Sequence, residues 1–174
     1  TMKYNAKVLE EAAGLFAGIH PATALLPGGE AACQGVLGML HHLGTMLAEI
    51  TGMDEVTTQP LAGAHGEMTG MLLVAAYHQA KGNRKKVVIV PDSSHGTNPA
   101  SAAMVGYEIV TIPTAAYGDM DLDLFKAAMN DEVAAVMMTC PNTLGLFNPY
   151  IKEIADIAHS HDALMYYDGA NLNA

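Results

Sequence analysis

The chain has 174 residues, of which 51% are hydrophobic and 15% charged, enough apolar material for a packed core and too much for a disordered tail. Eight Lys and Arg against 18 Asp and Glu leave a formal charge of −10, and Arg84 is the sole arginine, so no basic face exists to neutralise a phosphodiester backbone and nucleic-acid binding is not expected. Two distant cysteines, Cys33 and Cys140, make neither a disulfide framework nor a zinc ribbon and fit a reducing, cytoplasmic compartment.

Residues 1–53 are expected to form an N-terminal helical segment. Its clearest element runs from about Gln34 to Ile50, where Val36, Leu37, Leu40, Leu43, Leu47 and Ile50 recur at helical spacing. From residue 54 the chain alternates. A short strand is expected at Glu55 to Thr58, a helix at about Gly66 to Ala80, and a β-branched strand at Val87 to Val90. A helix opening at Asn98, capped by Asn98 or Thr97 with Pro99 in its first turn, leads to a strand at Tyr107 to Ile112 and a helix at Asp121 to Met129. A strand at Val133 to Thr139, a helix at Pro149 to His159 and a strand at Leu164 to Tyr167 follow. Helices between short apolar strands define an α/β chain with a mostly parallel sheet, and the unbroken apolar run Val133 to Met138 fits a strand buried on both faces. That run and Met71 to Ala76 are the longest of their kind, too short to cross a bilayer, and the opening TMKYNAKVLEE lacks the order of a signal peptide, so no membrane partner is expected. The chain opens on Thr1 and stops at Ala174 directly after a strand and turn, so both ends are expected to be cut.

Ligands of open parallel sheets bind beyond the carboxyl ends of the strands, where helix N-termini present free N–H groups. Four of the loops expected there are dense in polar and small residues. In AGAHGE (Ala62 to Glu67) small residues open a helix and let an anion approach the backbone, which suits a phosphate as well as it suits a plain tight turn. It is neither a Walker loop nor GxGxxG. The loop Ser93 to Pro99 carries His95, a flat ring able to stack on another ring or to rest solvated. Pro141 to Gly145 offers Asn142 and Thr143, able to hold a phenolic oxygen or to build a turn. Asp168 ends a strand in a carboxylate that needs a cation or several donors; a protonated pyridine nitrogen would serve, with Ala170 leaving room for the ring face, and N-capping of the next element is the alternative.

No metal site is expected. Asp119 to Asp123 has the alternating carboxylates of a calcium loop but Leu124 where glycine is needed, and His41, His42, His159 and His161 have no zinc-ligand spacing. The twelve methionines read as core filler.

Taken in order, these loops resemble the pyridoxal-phosphate enzymes of the aspartate aminotransferase fold, fold type I. TMKYN (Thr1 to Asn5), AGAHGE, HGTNPASA (His95 to Ala102), PNTLGLF (Pro141 to Phe147) and YYDGANLNA (Tyr166 to Ala174) resemble the glycine-cleavage P-protein family, glycine decarboxylase, in its bacterial subunit 2 form, over almost the whole chain. The resemblance implies that residues 54–174 are part of a large cofactor domain, and that pyridoxal 5′-phosphate (PLP) promotes loss of carbon dioxide from glycine. The aminomethyl group then passes to the lipoamide arm of a partner H-protein, with subunit 1 of the same enzyme as a further partner. Carried over by position, Gly63, Ala64 and His65 would offer backbone donors to the phosphate, and His95 would stack on the ring. Asn142 or Thr143 would approach the ring oxygen, Asp168 would pair with the pyridine nitrogen and Ala170 would pack on the other face. Asp168 and His95 are thus the expected catalytic pair. His65 stands where the family carries glutamine. The family's Schiff-base lysine lies in a segment beyond DGANLNA, and its small C-terminal domain follows, so the piece as given is expected to be inactive alone. Rival expectations are a non-catalytic α/β module or assembly surface, and another fold type I decarboxylase or desulfurase. An open sheet edge makes self-association, as a homo- or hetero-oligomer, the expected state.

Overall fold

The structure is a computed structural model and describes residues 7–16 and 18–172. The chain divides into two compact units, Thr1–Gln59 and Pro60–Ala174. In the first, α1 (Lys7–Phe16), a 3-10 turn (Pro21–Leu25) and α2 (Gly29–Thr51) follow one another. Gly29 is obligatory at the start of α2: a Cβ there would lie 1.7 Å from the Thr23 carbonyl oxygen, deep inside contact distance. The helix ends at Gly52 in the left-handed region, whose N–H reaches back to the Ala48 carbonyl. The expected helix at Gln34 to Ile50 is therefore the body of a longer one.

No strand forms at residues 55–58. That run finds no ladder partner among the described residues, and a strand exists only by pairing.

In the second unit, α3 (Gly63–Lys81), β1 (Val87–Pro91), α4 (Thr97–Val105), β2 (Glu108–Ile112), α5 (Leu122–Ala128), β3 (Val133–Thr139), α6 (Ile151–Ser160) and β4 (Leu164–Asp168) alternate, closing on a 3-10 turn (Ala170–Leu172). The four strands form one sheet in the order β2-β1-β3-β4, parallel throughout. The expected fold class is the observed one, with four strands where five were expected. All seven residues of β3 are buried, as its apolar run requires.

Side-chain alternation sends β1 and β3 into two cores. On one face Ile89, Val136 and Met138 meet Phe125 of α5 and Ile154 and Ala158 of α6; on the other Val88, Val90 and Met137 meet Met71 and Val74 of α3 and Ala102 of α4. Five of the methionines, Met71, Met120, Met129, Met137 and Met138, lie in these cores. The register of β3 against β1 slips once, pairing Val87 with Val133 and Val88 with Ala135, so Ala134 stands outside the ladder. Its carbonyl accepts instead from Nε2 of the buried His78 of α3 at 2.9 Å, and Nδ1 of that ring accepts from Asn83 at 3.1 Å.

The amino ends of the strands are tied polar end to polar end. The Lys85 ammonium donates to the carbonyls of Asp131 (3.1 Å), Val133 (3.0 Å) and His161 (2.6 Å). Asp162, at a φ of 52°, accepts from Lys81, Asn83 and Tyr77, which hold its carboxyl well below the ordinary carboxylate range. Cys33 and Cys140 are both buried and free. Among the described residues no helix is long and apolar enough to cross a membrane.

Candidate active site

The strand order makes one place at the opposite rim special. From β1 the chain steps outward to β2, then crosses back to β3 on the other side of β1. The loops leaving β1 and β3 therefore part from each other, and a crevice opens above them. A cleft of about 590 Å³ occupies this rim, and Gly63, Glu67, His95, Thr139, Tyr166 and Asp168 are among the residues lining it.

Asp168 is the last residue of β4 and lies in register with Thr139, the last residue of β3. The Thr139 hydroxyl donates to Asp168 Oδ2 at 3.1 Å, and the Ala170 N–H donates to Oδ1 at 3.0 Å. The carboxylate thus caps the closing 3-10 turn with one oxygen while remaining in the cleft wall. Across the cleft α3 begins. The N–H groups of Gly63 and Ala64 have no partner among the described residues, as expected of the first turn of a helix. The N–H of His65 is spent on the Ala62 carbonyl at 3.0 Å, and His65 does not line the cleft. Of the three donors expected there, two are available.

His95 lines the cleft from the β1–α4 loop, and Thr143 does so from the β3–α6 loop with its hydroxyl donated to the Ser93 carbonyl. Asn142 does not reach the cleft. Its Nδ2 donates to the Gly118 carbonyl (3.0 Å) and its Oδ1 accepts from the N–H groups of Leu144 (2.9 Å) and Leu146 (3.0 Å), so the buried amide is consumed in shaping its own loop. Of Asn142 and Thr143, only Thr143 lines the cleft.

Several residues that loop reading passed over complete the wall. Glu67, one turn into α3 and 7% exposed, accepts from Thr97 at 2.8 Å and from Ser101 at 3.4 Å. The Asn98 amide lies between two carboxylates: in one orientation it donates to Asp168 Oδ2 at 3.3 Å, and turned over it donates to both Glu67 oxygens at 3.3 Å. The expected helix cap at Thr97 or Asn98 is not formed; Gly96 holds the cap position without a side-chain bond, and both side chains turn to the carboxylates. Asn171 lines the cleft and donates to the carbonyls of Pro141 and Asn142. The signal for Thr139 was present in the chain, since it ends a strand as Asp168 does; nothing local marked Glu67.

Tyr166 of β4 lies half-buried between these acids. Burial first, then the charges of Asp168 and Glu67, push its phenol up from 10.0 to about 12. A phenol raised in this way stabilises the fold up to about pH 10, and that contribution is lost as pH climbs through the raised value. Between those limits the unfolded chain gives up the proton and the native one keeps it. The Tyr166→Phe variant is expected to lose less stability between pH 10 and 12 than the parent does, as read from urea midpoints; equal losses would remove Tyr166 as the source.

The same ring explains Gly70, where a Cβ would come within 2.7 Å of Tyr166 Cε2. Gly70→Ala is expected to push the ring into the cleft and cost about 1–3 kcal/mol of stability by overpacking, against little or no change if the ring moves freely aside.

A parallel sheet whose switch-point crevice carries a strand-end carboxylate opposite a helix N-terminus places this molecule in a recognisable class, and the chain belongs to the aminotransferase class-V family, whose model matches residues 65–172. More narrowly, it is 54% identical over its whole length to a protein of Shouchella clausii described as "Probable glycine dehydrogenase (decarboxylating) subunit 2". The chain spans 35% of the length of that relative. Among solved structures, a glycine decarboxylase (P-protein) of the glycine cleavage system in inhibitor-bound form matches 96% of this chain and 44% of its own, with 24% identity and a TM-score of 0.63. The sphingosine-1-phosphate lyase of Burkholderia pseudomallei matches 92% of this chain and 38% of its own, with 18% identity and a TM-score of 0.75. These two likenesses show the shared fold.

Proposed function

We propose that this chain forms the PLP-holding core of a glycine-decarboxylating enzyme that passes the aminomethyl group of glycine to the lipoamide of an H-protein and works beside a subunit 1. The observation that carries the reading is the placement of Asp168, its two oxygens held by Ala170 and Thr139, in the wall of a cleft whose other side is the open start of α3. The residues present fit the cofactor. A strand-end carboxylate matches a pyridinium, unpaired N–H groups at a helix start match a phosphate, and a cleft of about 590 Å³ accommodates a single substituted ring with its phosphate.

When bound, PLP supplies an electron sink for the carbon that loses carboxylate. This chain's own residues do the rest of the positioning. Asp168 would keep a proton on the ring nitrogen by charge, and Thr139 and the Ala170 N–H hold the carboxylate in place for it. Gly63 and Ala64 offer their N–H groups to the phosphate at the positive end of α3. His95 would stack on the ring, Ala170 would leave space for it, and Thr143 would approach the ring oxygen, all three lining the cleft. No lysine lines the cleft among the described residues. Lys81, Lys85 and Lys86 are engaged at the far rim, and Lys126 pairs with Glu153 on the helix layer.

The reading is tested with a chimaera in which this sequence replaces the corresponding segment of the Shouchella clausii relative. Exchange of labelled carbon dioxide into glycine, with PLP and lipoylated H-protein present, is expected from the chimaera and not from this chain alone. A folded chimaera that binds PLP without exchanging would leave the fold assignment standing and overturn the proposed substrate.

A further inference from the structure

Glu67 is a buried acid that the proposed chemistry does not use, and its hydrogen bonds lead to His95. The Thr97 hydroxyl has one proton, and it goes to Glu67 Oε1 at 2.8 Å. The same hydroxyl oxygen lies 2.7 Å from His95 Nδ1. With its proton already committed, that oxygen can only accept, so Nδ1 must carry the hydrogen. A competing contact, the Thr97 N–H to Nδ1 at 3.3 Å, would need Nδ1 bare, but it is much the longer of the two. Ser101 at 3.4 Å, and Asn98 when its amide is turned over, add donors to Glu67 and keep it an acceptor toward Thr97. His95 Nε2 has no partner among the described residues.

We propose that Glu67 is a positioning residue which, through Thr97, fixes His95 as the Nδ1–H tautomer, so that the imidazole presents the lone pair of Nε2 to the cleft as a hydrogen-bond acceptor. A free neutral imidazole selects its tautomer by whatever its two nitrogens meet, and here one nitrogen is dictated by an anion two bonds away. The consequence for a bound ligand rests on the reading of the cleft as a cofactor pocket; the tautomer itself does not. A ligand group placed at Nε2 is then recognised if it brings a donor, such as an ammonium or a hydroxyl, and is refused if it brings only acceptors.

Proton–nitrogen correlation NMR of the ligand-free chain, labelled at its histidine nitrogens and recorded where His95 is neutral, reads the tautomer directly. The His95 signals are assigned by their loss in His95→Gln. Wild type and Thr97→Ser, which keeps the hydroxyl, are expected to show mostly Nδ1–H. Glu67→Ala frees the Thr97 proton for Nδ1, and Thr97→Val leaves only the backbone N–H facing it, so both are expected to swing to mostly Nε2–H, a change of roughly tenfold in the tautomer ratio. A wild-type ring found as Nε2–H overturns the proposal, and so does a Glu67→Ala protein that keeps Nδ1–H, whatever Thr97→Val does. If Glu67→Ala does not fold, Thr97→Val decides: reversal supports the chain of bonds and retention overturns it. Because no cofactor is present, none of these outcomes depends on whether PLP is the ligand.

Discussion

Replacing Asp168 by asparagine is expected to weaken PLP binding by about 2–5 kcal/mol, which is roughly thirtyfold to several thousandfold in Kd. The size follows from charge. Asparagine keeps the shape; its single oxygen can still accept from the Ala170 N–H, and its NH2 can donate to the Thr139 hydroxyl once that hydroxyl turns, so the protein side of the network survives in rearranged form. What disappears is the anion that would hold a proton on the ring nitrogen inside a partly desolvated wall, and a charge pair broken at one partner leaves the other unpaired. Titration of PLP into the two proteins, followed by the ring absorbance, checks it. Equal affinity and equal spectra in both would show that the carboxylate does not face the ring nitrogen. Thr139→Val is a graded control, since it removes one donor to the carboxylate and leaves its charge, and a smaller loss is expected.

The second large effect concerns the frame. Phe125 is fully buried and packs the face of the sheet covered by α5 and α6, among Ile112, Met120, Met129 and Ile154. Phe125→Ala is expected to cost about 3–5 kcal/mol, from the lost transfer of the ring and from the cavity left behind. Against a total of about 5–15 kcal/mol for a typical domain, that is about a fifth of the stability or more, and a fall in Tm of roughly 10–20 °C. Thermal and urea unfolding measure it directly. A loss below about 1 kcal/mol would mean that the surrounding methionines collapse into the space.

Where apolar periodicity was strong, the sequence alone placed the elements within a few residues. Val133 to Thr139 is the clearest case, because a strand buried on both faces has no polar position to confuse its reading. The failure at residues 55–58 has the opposite cause: four residues with mixed polarity become a strand only if another strand pairs with them, and pairing is a property of the tertiary structure. The slip at Ala134 was equally invisible, as was the task of His78 in answering the carbonyl it strands.

The candidate site divides along the same line. Asp168, His95, Gly63, Ala64, Thr143 and Ala170 could be named because they fall where strands end and helices begin, and all six line the cleft. Asn142 was misjudged because a buried amide that serves a turn and one that serves a ligand have the same local sequence. Thr97 and Asn98 look like a helix cap in the linear text, and only the approach of α3 to α4 shows that Glu67 outcompetes the backbone for them.

The clasp formed by Lys85 at the amino ends of the strands has a practical corollary. One cation gathers three carbonyls from the starts of neighbouring strands, and the Asp162 knot beside it secures the end of α3. Much of the polar cohesion is thereby lodged at the rim opposite the candidate cleft. A protein engineer wishing to transplant a different specificity would look to the exposed tips of the opposite loops, keeping the buried Asn142 and Asn148 that shape one of them, and would leave Lys85 untouched.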